Sequence, residues 1–169
     1  MSLLLDRGAN IDAVTPSTGS GVGYGNATIA AAASPKGSVI VSLLADRGAN
    51  LNAILSGHRY PTALIAVTDL ATTLELTNRQ KSSLSAHFNT MEVLLDRGAE
   101  INLAAENDNY GTALNRAIFI RAANSKRRAV SKVASVLLDR PTPTLSLGIT
   151  EARWGSPHTK AVSNMSHSC

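Results

Sequence analysis

Glycine occupies every second position from Gly19 through Gly21 and Gly23 to Gly25. Such a segment could let a backbone close on a phosphate. A dinucleotide loop needs the spacing G-x-G-x-x-G between a strand and a helix. Here Tyr24, Asn26 and Thr28 stand where the third glycine would fall in each register. The segment therefore reads as a flexible hairpin tip.

The histidines are His58, His87, His158 and His167, and none is spaced from another His, Cys or carboxylate as metal ligands are. No G-x-S-x-G, H-E-x-x-H or paired-carboxylate motif occurs. These absences lead us to expect no catalytic residues, no metal and no cofactor. His58 sits in the loop Ser56–Tyr60 and reads as solvent-exposed or partner-contacting. His87 reads as a structural residue ahead of an outer helix.

Arg121, Lys126, Arg127, Arg128 and Lys132 form the sharpest charge cluster. Such a run could direct nuclear import or hold nucleic acid. No aromatic residue interleaves it, which argues against base stacking. The apolar neighbours Ile118, Ile120, Val130, Val133 and Val136 suit a core-facing helix. A solvated loop and helix face is the reading we prefer.

Composition sets the frame for these groups. Residues 1–120 carry 8 Lys/Arg against 10 Asp/Glu, and residues 121–169 carry 8 against 2. The net charge of +4 thus belongs to the last third. Hydrophobic residues make up 44% and aromatics 4%, a balance that favours closely packed helices over an aromatic-rich sandwich. Cys169 is the single cysteine, so no internal disulfide forms. No secretory signal is visible, because Asp6 interrupts the short apolar start. No stretch approaches the roughly 18 apolar residues of a membrane span. A cytoplasmic or nuclear monomer is expected, and the sequons at Asn26 and Asn164 read as chance matches.

Two phrases alternate along the chain. The first is LLLDRGANIDA from Leu3, LLADRGANLNA from Leu43 and VLLDRGAEINLA from Val93, with a degraded copy, VLLDRPTPTLSL, from Val136. Its aspartates, Asp6, Asp46, Asp96 and Asp139, are 40, 50 and 43 residues apart. The second phrase is YGNATIAA from Tyr24, YPTALIAV from Tyr60 and YGTALNRA from Tyr110. Asn26, Thr62 and Thr112 are good N-caps for a short, Ala-rich inner helix. A second, outer helix ends at the Leu-rich phrase, and Gly8, Gly48 and Gly98 supply the left-handed residue after it. A projecting hairpin or loop then leads to the next Tyr. One such unit cannot bury its own apolar face, so units must stack.

At these residues the chain resembles the ankyrin-repeat family. The inner-helix opening is Thr-Ala-Leu at Thr62–Leu64 and Thr112–Leu114. The closing Leu-Leu, Gly-Ala and Asn elements fall at Leu43–Asn52 and Leu94–Asn102. The wording is similar to ankyrin arrays of filamentous fungi. The Pro and His of the family's helix opening are absent. The resemblance implies an all-α ankyrin-repeat solenoid of about three helix-helix-hairpin units. Residues 1–13 would be a partial first repeat, residues 14–140 the array, and residues 141–169 a disordered tail. The stretch Asn26–Gly48 spans 22 residues, Thr62–Gly98 spans 36 and Thr112–Pro141 spans 29, which places insertions near 70–85 and 123–129. The first insertion could extend the inner helix or form a loop. The chain begins halfway through a unit and reads as a fragment of a longer array, with Leu-rich faces open at its ends.

The resemblance also implies a protein-binding module without catalysis. Its partner would meet the hairpin tips and the inner-helix face. The matching positions are Ser56, His58, Arg59 and Tyr60 in one finger, and Glu106, Asp108 and Tyr110 in the next, with Asn115 and Arg116 on the helix. A competing reading has Tyr60 and Tyr110 packing between units, since Tyr24 recurs in register. The alternatives are an accessory fragment of a larger signalling or enzyme chain, or a nuclear factor using residues 121–132.

Overall fold

The computed structural model describes residues 2–16, 23–77, 81–105, 111–123 and 132–139. Seven helices follow one another among these residues: α1 Ser2–Asp6, α2 Ala27–Ala32, α3 Gly37–Asp46, α4 Ala63–Thr77, α5 Lys81–Asp96, α6 Ala113–Ala123 and α7 Lys132–Leu138. No strand occurs among the described residues. The described part of the protein is all-α.

Helices consecutive in the chain pack as pairs, α2 with α3, α4 with α5, and α6 with α7. Neighbouring pairs then stack, α4 lying between α2 and α6 while α3 packs on α5. The result is two layers, an inner one (α2, α4, α6) and an outer one that includes α3 and α5.

Alanine explains the close approach in the first layer. Ala31 on α2, Ala66 and Ala71 on α4, and Ala113 and Ala117 on α6 are all buried. Larger aliphatic residues fill the space between layers, chiefly Ile29, Ile65, Val41, Leu44, Met91, Leu94 and Val133. Each such side chain contributes roughly 1.5–3 kcal/mol when removed from water.

The helix starts repeat in detail. Asn26 Oδ1 accepts from the Ile29 amide at 2.9 Å, Thr62 Oγ1 from Ile65 at 3.1 Å, and Thr112 Oγ1 from Asn115 at 3.3 Å. Each bond satisfies an amide that the first turn leaves without an intrahelical partner.

The helix ends repeat equally. Gly8, Gly48 and Gly98 adopt φ of 85°, 84° and 92°. The following alanine amides then reach back to Leu4, Leu44 and Leu94 at 3.0, 3.0 and 2.9 Å. A left-handed residue is needed to turn the chain this sharply, which is why glycine recurs there.

The insertion near 70–85 is divided between two helices. α4 runs 15 residues where α2 runs 6, and α5 runs 16 where α3 runs 10. It lengthens both helices, where the sequence reading considered only the inner helix or a loop. The added turns support the next pair. Glu75 Oε1 accepts from the Lys132 amide at 3.0 Å, at the start of α7, and the Lys132 ammonium lies 4.8 Å from the Phe88 ring centre.

Two expectations are corrected. His87 lies within α5 and is buried, with Nδ1 2.7 Å from the Ser83 carbonyl, so it does not precede the outer helix. Ile118 is exposed, since the buried positions of α6 are Ala113 and Ala117, while Val133 is fully buried as expected. The insertion near 123–129 falls largely, and the tail 141–169 entirely, outside the described residues. Leu3, Leu4 and Leu138 are exposed, so apolar side chains stand open at both ends of the described stack.

Candidate functional site

Three loops, the fingers, lead from one helical unit to the next, and the described residues include the base of each and the whole of the second. Each is closed by one backbone hydrogen bond at an equivalent place. The Thr15 amide donates to the Gly25 carbonyl at 2.8 Å, Leu55 to Pro61 at 2.8 Å, and Ala105 to Gly111 at 2.9 Å. Each donor lies nine residues after the repeated aspartate, and each acceptor immediately precedes an N-cap. The finger base is thus fixed at one end by the glycine turn and at the other by the capped helix.

The turns beneath the fingers tie unit to unit. Asp12 Oδ1 accepts from the Asn50 amide at 3.0 Å, and Asn52 Oδ1 accepts from the Glu100 amide at 2.8 Å. Asn52 Nδ2 also donates to the Gly98 carbonyl at 3.2 Å. At the outer-helix ends Arg47 pairs with Asp6 at 3.5 Å, and Arg97 pairs with Asp46. The Asp of one phrase meets the Arg of the next.

The second finger carries four of the residues singled out from the sequence. Ser56 and Arg59 are exposed. Gly57, between Ser56 and His58, has φ 77° and turns the tip. His58 is partly buried and points toward the first finger. Its Nε2 is 2.9 Å from the Thr15 carbonyl and its Nδ1 is 3.1 Å from the Ser56 carbonyl. The Arg59 amide donates across to the Gly23 carbonyl at 3.1 Å.

Tyr60 is only 2% exposed and stacks on Tyr24 with ring centres 6.2 Å apart. Burial leaves it little surface for a partner, and the stack joins neighbouring units, the competing role weighed for it above. Its phenol donates to Asp69 Oδ2 at 3.4 Å, and the Arg59 guanidinium lies 5.4 Å from its ring centre. Burial and then the Asp69 carboxylate push the Tyr60 phenol above the usual tyrosine range, because both disfavour a second negative charge there.

Arg116 on α6 is also engaged internally. Its Nε donates to Asp69 Oδ1 at 2.8 Å, and the two side chains are 22% and 17% exposed. The sequence reading placed Arg116 toward a partner, and here it links α6 to α4. Asn115 is exposed. Glu106, Asp108 and Tyr110 lie outside the described residues. So do Lys126, Arg127 and Arg128, while Lys132 is held against Phe88 and Glu75.

Asp69 is the organising residue that motif reasoning did not reach. It occurs in only one unit, so no repeat marks it. Chemically, the surface offers a guanidinium, a hydroxyl and loop backbone groups to a second molecule. Among the described residues no group of three or more His, Cys, Asp or Glu gathers where a metal could sit. None of the described helices is long and apolar enough to cross a membrane.

No family model, curated protein or solved structure matches this chain.

Proposed function

We propose that this chain is an ankyrin-type repeat array that binds another protein through its fingers and the adjoining inner-helix face, without catalysis. One observation carries the reading. The N-cap, the left-handed glycine, the finger closure and the Asp–Arg pair recur in register from unit to unit. Local devices repeated at this spacing suit a stack whose neighbours supply each other's missing contacts. The departures from the family's helix opening do not remove those devices. The fold class by itself leaves the partner's identity open.

The surface offered to the partner is narrower than the sequence reading. Ser56, Arg59 and Asn115 are exposed, while Tyr60, His58 and Arg116 hold the surface in place. Arginine at a finger tip is a common interface anchor. Glu106, Asp108 and Tyr110 of the third finger belong to the proposed surface by their place in the repeat.

The test is affinity capture with three forms of the chain, the wild type, a double variant Arg59→Ala with Asp108→Ala, and a control Val39→Ala on the outer layer. Proteins retained by the wild type and the control but lost by the double variant support the reading. Retention unchanged by the double variant, with helical content preserved in all three, counts against it.

A further inference from the structure

The phrase that opens each inner helix occurs a fourth time. Tyr24-Gly25-Asn26, Tyr60-Pro61-Thr62 and Tyr110-Gly111-Thr112 each set an aromatic residue, a Gly or Pro and an N-cap in line. Trp154-Gly155-Ser156 repeats the order, with tryptophan for tyrosine and serine as the capping residue. The spacing agrees. Asn26, Thr62 and Thr112 follow the repeated aspartates by 20, 16 and 16 residues, and Ser156 follows Asp139 by 17. Pro157, just after the cap, has no amide to leave unpaired in a first helical turn. Five residues after the caps stand Ala31, Val67 and Ala117, which are 4%, 0% and 0% exposed. Ala161 holds that place in the fourth copy, and Val162 and Met165 add to its apolar residues. Pro141 and Pro143 disrupt only the preceding phrase, where proline just past a helix end stops the helix.

The structure has a face for such a helix. Each inner helix meets the next, α2 packing on α4 and α4 on α6. Three and six residues after the cap, α2 buries Ile29 and Ala32 and α4 buries Ile65 and Thr68, none more than 1% exposed. Among the described residues α2 has no inner helix before it, so this burial does not come from that side. The same places on α6 hold Asn115, which is exposed, and Ile118, which is 53% exposed. Ala113 and Ala117 of the same helix are buried. What sets α6 apart is that no inner helix follows it among the described residues.

We propose that residues 154–166 form a fourth inner helix, which docks on the α6 face marked by Ile118, in place of the disordered tail expected from the sequence. Val162 is in register with Ala32, Thr68 and Ile118. Trp154 takes the place from which Tyr60 stacks on Tyr24. Residues 141–153 become a fourth finger. Arg153 precedes Trp154 as Arg59 precedes Tyr60, over whose ring the Arg59 guanidinium lies. The docked helix covers Asn115 and withdraws it from the partner surface. Docking holds whether or not the fingers bind a protein, and only the gain of Arg153 as a contact rests on the function proposed above.

Trp154 is the single tryptophan, so its fluorescence in the full chain reports on this segment alone. Emission to the blue of the urea-unfolded chain, and acrylamide quenching several-fold weaker than there, are expected at every protein concentration. Ala161→Glu sets a carboxylate at a place buried in the three other units, and Ile118→Glu sets one on the docking face. Each is expected to raise quenching to the level of the unfolded chain while most of the helical circular dichroism is kept. Trp154 as accessible in the folded chain as in the unfolded one overturns the proposal. So does shielding that survives either substitution, and so does shielding lost on dilution, which would set the segment on a second copy.

Discussion

Arg97, at the end of one outer helix, forms an ion pair with Asp46, at the end of the helix before it. The same guanidinium donates to Ser42 Oγ at 2.8 Å. Arg47 and Asp6 repeat the pairing one unit earlier. Among the described residues the recurring Asp-Arg wording therefore links its first copy to its second and its second to its third. Exposed pairs of this kind are worth about 0.2–1 kcal/mol. Arg97→Ala is expected to lower stability by about that amount, with a smaller loss at about 1 M salt, where charges are screened. Urea titrations at low and high salt measure both.

Burial separates equivalent leucines. Leu94 is 0% exposed and Leu4, at the same repeat position, is 67% exposed. Leu94→Ala is expected to cost about 2–5 kcal/mol, the range for a buried leucine truncated to a cavity. Leu4→Ala should change stability by less than about 0.5 kcal/mol, as surface substitutions do. Equal costs would mean that Leu4 is packed as Leu94 is, against the arrangement described here. Urea midpoints of the two variants decide the matter.

A hydroxyl at position 62 is expected to matter more than its shape. Thr62→Ala removes the acceptor for the Ile65 amide and should cost about 1 kcal/mol. Thr62→Ser keeps the acceptor and should retain most of that. Thermal unfolding of the two variants separates capping from packing of the threonine methyl.

Gly25 and Gly48 share a left-handed backbone, at φ 83° and 84°. Alanine at either position pays the left-handed penalty of about 1–2 kcal/mol. Around Gly48 there is nothing within 4 Å of an added Cβ, whereas at Gly25 it meets Leu55 and His58. Gly25→Ala should therefore be the more destabilising of the two in a urea titration, and it should loosen the first finger.

The raised Tyr60 phenol gives a signed pH effect. The folded state holds its proton above the ordinary tyrosine value, so its contribution to stability is intact below about pH 10. It is lost as pH rises from there through the folded value, because the unfolded chain ionises first. Tyr60→Phe retains the stack on Tyr24 and is expected to lose less stability than the wild type above about pH 10. Denaturant midpoints across that range measure the difference.

The elements legible in the sequence were those that repeat. Asn26, Thr62 and Thr112 announced helix starts because capping chemistry is local, and Gly8, Gly48 and Gly98 announced helix ends for the same reason. The division of the insertion between α4 and α5 was not legible, because residues 70–85 are polar and carry no cap or glycine stop of the repeated kind. Asp69 was invisible for a related reason. Its partners, Tyr60 and Arg116, lie 9 and 47 residues away, and only packing brings them together. His58 was assigned to solvent or a partner because the sequence does not show that Gly25 leaves room for its ring.

The most direct test of a coupled stack is urea unfolding of the 169-residue chain followed by helical circular dichroism. One cooperative transition, shifted as a whole by Leu94→Ala, is the expected result, since neighbouring units supply each other's contacts. A shallow slope, or separate transitions of which Leu94→Ala moves only one, would contradict it. The units would then be independent, and the fingers could not act as one surface.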